Sequence, residues 1–574
     1  MAAARLAAFA AGAALLLLAW NGGLSGWWVL VPLCAFLVLV QRHDRIIRAR
    51  DAAARAITFY EHGLARLDDT WAGMGDRGDE FRDDDHPYAN DLDLFGAGSL
   101  FELLSVARTR SGRETLARWL KAPADDLSVR QDAVRELAPE LDLREHVALA
   151  GAGARVALES SALVEWATRP PRLGPPQLRW CFAALTAVTL ATGTWWAVGG
   201  PSAPLVAALA AQSIATLTLR RRIDAVLHSA DAPARELQVL LQVVERVEQH
   251  QFRSARLSLL ASSFTADTVR ASTAIRRLKR LVEMHDWEHN LAFTLVATVL
   301  LWGTHIAWTI EAWRRTYGGH VSDWLAAAGE LEALLSLGAY CYEHPDDPFP
   351  DIVVEPDAPH GGRPRATFDG TSLGHPLLPA ARMVRNDVQL SGDIRLLVVS
   401  GSNMSGKSTL LRTVGINAVL ALSGAPVRAA SLRLSPLAVG ATLRIQDSLQ
   451  EGRSRFYAEI TRIRMLAETA SGPQPLLFLL DELFHGTNSH DRLVGARGVL
   501  QSLLARGAIG LVTTHDLALT DIARELAPAV VNTHFDDWFD GGEIRFDYRM
   551  KPGPVTRSNA LALMRAVGLD VDST

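Results

Sequence analysis

Cysteine is scarce: the 574 residues hold three, Cys34, Cys181 and Cys341. Two lie in apolar runs and one in a helical stretch, with no metal-ligand spacing among them, so the pattern argues against a disulfide framework and a zinc site, and a reducing cytoplasm fits. A basic surplus is missing as well. The formal net charge is −5, so nothing draws the whole molecule toward nucleic acid, and any such binding needs a local basic face. No internal repeat of fixed period runs through the chain. With 49% hydrophobic and 21% charged residues the bulk is globular, not disordered. A single core is excluded by length, since roughly 100 to 200 residues per domain is usual; several domains are expected.

What is present begins with apolar runs. Leu6 to Trp20 and Trp27 to Val40 are separated by "NGGLSG" and followed by the basic "QRHDRIIRAR". A second pair, Leu178 to Val198 and Ala203 to Leu219, is joined by the uncharged "GGPSA" and bracketed by Arg169, Arg172, Arg179 on one side and Arg220, Arg221, Arg222 on the other. With flanking small residues the first runs approach the lower end of the roughly 17 to 25 residues that span a bilayer. A secretory leader has one such run, whereas two in succession predict a retained helical hairpin. Lys and Arg cluster at the outer ends of both hairpins, which places the soluble segments in the cytoplasm and the turns outside. Both hairpins lack internal charges of the kind that mark a substrate path, which argues against a transporter. A further run at 291–310 contains His305 and continues in helical register to Glu311 and Arg314; it is expected as one long buried helix.

Residues 51–91 read as a polar helix followed by a solvated acidic linker, "GDRGDEFRDDDHP". Helical patterns fill 92–177 and 223–345. From 346 the texture changes to short β-rich runs such as "IRLLVVS", "PLLFLLDE" and "GAIGLVTTHD" alternating with helical ones, which predicts an α/β domain with a parallel sheet and crossover helices.

Gly401, Gly406, Lys407 and Ser408 satisfy GxxxxGK[ST] after an apolar strand and before a helix, the context of a P-loop. Its backbone amides close on phosphate oxygens, Lys407 reaches the β and γ phosphates, and Ser408 holds Mg²⁺. The whole loop, Gly401, Ser402, Asn403, Met404, Ser405, Gly406, Lys407, Ser408 and Thr409, is the nucleotide-binding candidate. The strand "LLFLLDEL" delivers Asp481 as the metal's second partner and Glu482 to polarise the attacking water. "IGLVTTHD" ends in His515, a candidate sensor of the γ phosphate.

"GSNMSGKSTLLR", "LLFLLDELFHGTNSHDR" and "VTTHDLALTDIA", in that order, resemble the ATPase domain of the MutS mismatch-repair family, a branch of the ABC ATPases. "LGHPLL" and "VRNDVQL" are similar to the segment leading into the loop, where the resemblance places Asn386 beside the adenine. "DSLQEGRSRFYAEI" is similar to the signature segment, and there the resemblance implies that Ser454 reaches across a dimer to the partner's nucleotide. "VVNTHF" and "YRMKPGPVTRSNALALMRAVGL" match the closing segment. The resemblance extends to "GSLFELLSVARTRSGRETLARWLKAPA", "RQDAVREL" and "DWLAAAGELEALLSLGAY" in the helical core and lever regions. It implies a homodimer that binds and hydrolyses ATP with Mg²⁺ and moves its levers on closure.

The departures are specific. The first hairpin stands where mismatch-reading members carry an α/β reader, and "FYE" at Phe59 to Glu61 imitates the reader's motif by chance within a helix. The second hairpin stands about where DNA-encircling members insert a clamp. Arg455 replaces a small hydroxyl residue of the signature, and "FHGTN" replaces a more arginine-bearing run; ATP binding is expected to survive both. The expected layout is therefore a transmembrane hairpin at 1–50, a linker at 51–91, a core part at 92–177, a second hairpin at 178–222, a core and lever part at 223–345, and the ATPase domain at 346–574. Two functions stay open: a membrane-anchored, DNA-binding ATPase related to mismatch repair, and a mechanochemical membrane ATPase acting on a protein or lipid partner without DNA. The basic stretch "RASTAIRRLKR" at 270–280 is either a phosphate-contacting face or an ordinary solvated helix face.

Overall fold

The structure is a computed structural model of the full chain. It describes all residues except 1, 23–24, 123–125, 151–159, 266–269, 290–292, 354–364, 444–454, 485–488, 541–542 and 556–574. By internal contacts the chain divides into two units, Met1–Ala65 and Arg66–Thr574.

In the first unit, helix α1 (Ala2–Trp20) is paired with the start of α2 (Leu30–Leu67). The rings of Phe9 and Phe36 lie 6.3 Å apart, and the apolar side chains otherwise point outward, with Leu6, Leu17 and Trp20 more than half exposed. The helix α2 runs unbroken through residues 51–67, and Phe59 to Glu61 fall inside it.

The second unit starts with a correction. In the acidic run 75–87 every residue but Gly78 is exposed or half-buried, yet the ends of the expected linker fold inward: Trp71, Tyr88, Ala89 and Asp91 are all buried. The buried C-terminal end of this stretch faces the C-terminal α/β domain, Asp91 meeting Leu443 and Arg462. The Ala441 N–H donates to the Pro87 carbonyl at 2.9 Å. Short helices follow: α3 (Leu100–Leu104), α4 (Arg110–Lys121), α5 (Leu127–Leu137), α6 (Leu141–Leu149) and α7 (Ser160–Thr168). Side chains that stop the backbone from fraying begin two of them, Ser99 accepting from the Glu102 N–H and Thr109 from the Gly112 N–H, a cap that adds about 1 kcal/mol each.

Helices α8 (Leu178–Ala197) and α9 (Ala203–Gln249) form the second hairpin. Its outward face is apolar, with Trp180, Trp195, Trp196, Val206, Ile214 and Leu217 more than half exposed. Among the described helices, α9 is long and apolar enough to cross a membrane, and Ala4–Trp20 is a shorter apolar one. The helix α9 continues past Arg222 to Gln249 without a break, carrying Pro233 inside it. Helices α10 (Ala255–Ser263) and α11 (Ala271–Asp286) follow.

The run at 291–310 is not the single helix expected. It is split into α12 (Thr294–Val299) and α13 (Trp302–Tyr317), with Leu301 between them at φ +48. The carbonyls freed at the break are satisfied by Gln212 of α9, whose Nε2 donates to Thr298 at 3.2 Å and Val299 at 2.8 Å. Helix α14 (Val321–Glu343) is the helical region's core, with Leu331, Leu334, Leu335, Leu337 and Tyr340 all within 2% of full burial. Each fully buried leucine contributes roughly 1.5 to 3 kcal/mol, and Leu334→Ala is expected to cost about 2 to 5 kcal/mol.

The C-terminal part holds two sheets. The smaller has strand order β1-β5-β2-β3, from β1 (Asp351–Ile352), β2 (Phe368–Leu373), β3 (Asn386–Leu390) and β5 (Ser431–Leu434). It was not foreseen, because its strands are short and alternate weakly. The larger has order β10-β9-β4-β8-β7-β6, from β4 (Leu396–Ser400), β6 (Ala438–Thr442), β7 (Leu476–Asp481), β8 (Ile509–Thr514), β9 (Val530–Asp540) and β10 (Glu543–Pro552). Five strands are parallel and β10 is antiparallel to β9. Their continuous Val, Ile and Leu runs suit burial on both faces, by α15 (Lys407–Ser423), α16 (Arg455–Thr469), α17 (Ser489–Ala505), α18 (Leu517–Thr520) and α19 (Ile522–Glu525).

Candidate nucleotide site

The parallel register brings the site together. Ser400 at the end of β4 pairs with Thr514 of β8, and Asp481 at the end of β7 pairs with Thr513. The loop 401–406, Asp481, Glu482 and His515 therefore meet at the carboxyl edge of the sheet, where open α/β sheets bind ligands.

The loop needs its glycines. Gly406, which precedes α15, has φ +102, and a Cβ there would lie 3.1 Å from the Tyr548 ring. At Gly401 a Cβ would come within 2.8 Å of Ser405 Oγ. Lys407 is 5% exposed, and its ammonium donates to the carbonyls of Gly401 at 2.9 Å and Ser402 at 2.7 Å. Burial lowers its pKa from the ordinary lysine value, against the raising effect of Glu482 and Asp481. Ser402 Oγ and Ser405 Oγ are buried with no hydrogen-bond partner, as befits a cradle built for acceptor-rich phosphate.

Opposite the loop, Ser408 Oγ donates to Asp481 Oδ2 at 2.5 Å. A hydroxyl and a carboxylate facing one another are a hard-oxygen pair of the kind Mg²⁺ takes. The Thr513 hydroxyl donates to the other Asp481 oxygen and accepts from the Glu482 N–H at 3.1 Å. Glu482 and Phe484 both have positive φ, +50 and +60. Such strain in non-glycine residues is held only where surroundings over-determine it; here the Phe484 N–H is pinned by Glu459 of α16. The Glu482 carboxylate lies 3.9 Å from the Lys407 ammonium and 3.3 Å from His515 Nδ1.

Gly406, Lys407, Ser408, Asp481 and Glu482 line a cleft of about 1010 Å³ that also includes Asn386, Asn403, Met404, Thr409 and Tyr548, large enough for a nucleotide; His515 lines a small adjoining pocket that shares Glu482. Asn386 lines the cleft, and its amide is engaged by β10: it donates to the Tyr548 carbonyl at 3.0 Å and accepts from the Met550 N–H at 2.7 Å. It thereby clamps the irregularity between Phe546 and Met550 that turns Tyr548 toward the loop. Ser454 and the run 485–488 lie outside the described residues.

Sequence reasoning missed four residues. Tyr548 is an exposed aromatic at the cleft mouth, signalled only by an aromatic in a polar strand. Thr513 precedes the singled-out histidine by two residues. Glu459 is an acid on the apolar side of α16. Asp91 accepts from Arg462 at 2.7 Å and from the Leu443 N–H at 2.8 Å, while its carbonyl accepts from Arg412 at 3.3 Å; its acidic neighbours disguised it as linker.

Comparison with known proteins agrees with this geometry. Residues 397–572 match the family model described as MutS domain V. A DNA mismatch repair protein MutS 2 of Haloarcula marismortui is 37% identical over 207 residues, 35% of this chain and 21% of that protein. Proteins named Endonuclease MutS2 are similar as well: that of Thermus thermophilus is 37% identical over 196 residues, 34% of this chain and 25% of its own length. The one from Thermomicrobium roseum is 33% identical over 251 residues, 43% of this chain and 31% of its own. The matched segments thus span about a fifth to a third of these relatives.

Proposed function

From the premise that this chain belongs, through its C-terminal domain, to the MutS family, we propose that it is a membrane-anchored ATPase that binds and hydrolyses ATP with Mg²⁺ in a composite dimer site. The observation that carries this reading is the meeting of Lys407, Ser408, Asp481, Glu482 and His515 at one sheet edge. Ser408 and Asp481 would hold the metal, which when bound neutralises developing phosphate charge. Lys407 swings from the loop carbonyls to the phosphate oxygens. Glu482, oriented by the strained turn and by His515, takes the proton of the attacking water. Tyr548 stacks on the base, and Ser454 of the second copy completes the site, so ATP favours the closed dimer through contacts made only in that state.

The two hairpins anchor the chain in the membrane with the ATPase domain in the cytoplasm. Support comes from their outward apolar faces and from the arginines at their feet. Motion of the dimer passes along α9 to α14. DNA association related to mismatch repair is supported by the names of the relatives. The alternative, a mechanochemical ATPase acting on a protein or lipid partner, is favoured by one observation. Within the basic stretch of α11, Arg276 pairs with Glu245 at 2.7 Å and Lys279 with Glu283 at 3.7 Å, leaving less free charge for phosphates.

The test is ATP turnover and sedimentation of the full chain in detergent, with Lys407→Ala as control. Turnover and nucleotide-dependent dimerisation that vanish together in the variant support the reading. A strictly monomeric chain under saturating Mg²⁺ and a non-hydrolysable analogue refutes it. Binding to homoduplex, mismatched and branched DNA, with its salt slope, separates the two partner classes.

A further inference from the structure

Where the segment leading into α8 crosses the end of α13, the chain forms a second polar cleft of about 320 Å³, lined by Arg169, Pro170, Pro171, Glu311, Arg314 and Arg315. Arg314 is 7% exposed. It donates through Nη2 to the Arg169 carbonyl, and its guanidinium lies 5.5 Å from the centre of the Trp166 ring. Its buried Nε has no hydrogen-bond partner. Glu311, the carboxylate among these residues, accepts the backbone N–H groups of Arg172 at 2.5 Å and Leu173 at 3.3 Å. Arg169 pairs with Glu165 at 2.8 Å, the arginine partly and the glutamate mostly in water, where such a pair is weak. Arg315 is exposed. A buried guanidinium with an unmatched donor calls for an anionic acceptor, and phosphate fits guanidinium geometry best.

The position of the cleft selects the source of that phosphate. Thr186 of α8 and His305 of α13 are in contact at 3.3 Å. At 1.5 Å per residue, Leu178 lies about 12 Å from Thr186, and Arg314 lies about 13 Å from His305 in the opposite chain direction. The cleft is therefore level with the foot of the second hairpin, where Arg220, Arg221 and Arg222 leave the apolar part of α9. In the membrane-anchored reading, on which this inference rests, that level is the headgroup layer. Basic pockets at such a level take anionic headgroups.

We propose that this cleft binds the phosphate of an anionic phospholipid headgroup in the cytoplasmic leaflet, with Arg314 and Arg315 on the phosphate oxygens and Arg169 released from Glu165 to cover them. Occupancy couples the lipid to α13, and hence to the helical region beneath the ATPase domain.

The test uses full-length protein in detergent, titrated with phosphatidylglycerol or phosphatidylcholine and read by native mass spectrometry. Alkaline-carbonate extraction of the source membranes runs alongside. Arg314→Gln should weaken phosphatidylglycerol binding about tenfold, the effect of losing one charge-assisted hydrogen bond. Exposed Arg315→Glu, which leaves the buried contacts intact, should weaken it several-fold, with phosphatidylcholine binding unchanged in both. Variant-insensitive phosphatidylglycerol binding overturns the proposal. So does displacement of the lipid by inorganic phosphate or by duplex DNA at equal concentration, which would reassign the cleft to a soluble phosphate or to nucleic acid. A chain that carbonate extracts sinks the membrane reading itself, whereas a retained chain with no lipid preference sinks only the cleft.

Discussion

Asp91 offers the sharpest check on how the helical region is joined to the C-terminal α/β domain. Its side chain is 2% exposed and faces Arg462, itself 19% exposed, at 2.7 Å. The second oxygen accepts the Leu443 N–H at 2.8 Å. Asp91→Ala leaves a largely buried guanidinium and a backbone donor without their acceptor. Breaking a buried pair costs about 3 to 5 kcal/mol, and an orphaned donor about 1 to 3 kcal/mol. Arg462 keeps its bond to the Asp84 carbonyl at 3.1 Å and some access to water, so a net loss of about 2 to 4 kcal/mol is expected. For a domain of this size that lowers the melting temperature by roughly 5 to 12 °C. Asp91→Asn, which keeps one acceptor, should lose about half as much. The assay is thermal unfolding of the full chain in detergent, followed by near-ultraviolet circular dichroism. A surface linker aspartate would change stability by no more than about 0.5 kcal/mol. A melting temperature unchanged in Asp91→Ala would therefore refute the junction described above.

Three further outcomes are expected. Glu482→Gln should keep nucleotide affinity within a few-fold while turnover drops by roughly a hundredfold or more; equal turnover in single-cycle kinetics would remove Glu482 from the chemistry. Tyr548→Ala should weaken nucleotide binding by roughly tenfold, the effect of losing one stacked base, whereas binding of inorganic triphosphate should stay level; calorimetry with both ligands checks it. His375 is held down at about 4 by burial and, secondarily, by the Arg412 charge, against about 6.5 in the unfolded chain. Between those values the unfolded chain takes up a proton that the folded one refuses, so stability falls as pH drops through this window, by roughly 2 kcal/mol at pH 5. His375→Gln should flatten that part of the pH profile of the melting temperature; an unaltered slope would discard the assignment.

The site was largely legible before any coordinates. Gly401 to Thr409, Asp481, Glu482 and His515 sit at strand ends whose apolar runs are short and unambiguous, and a parallel sheet sends every such end to one edge. The hairpin helices were legible for the same kind of reason, since an uninterrupted apolar run with polar flanks can hardly be anything but helix. The failures share another cause. Residues 51–91 read as a linker because polar and acidic residues prevail there, yet Asp91 at its end is matched by Arg462 and Arg412, more than 300 positions away. The run at 291–310 read as continuous because its hydropathy is continuous. Its break at Leu301 is stabilised by Gln212, a partner nearly ninety residues upstream.

Sequence alone thus determined the parallel strands of the larger sheet, most of the helices, where the phosphate-loop motif lies, and which surfaces are apolar. All of these depend on residues close together in the chain, through hydrogen bonding and side-chain period. Tertiary structure alone decided that Asp91 sits in a junction, that Asn386 clamps Tyr548 at the cleft, and that Arg314 is buried beside a hairpin foot. Each of these joins groups distant in sequence, and the desolvation that gives them their energy exists only once the chain has folded around them.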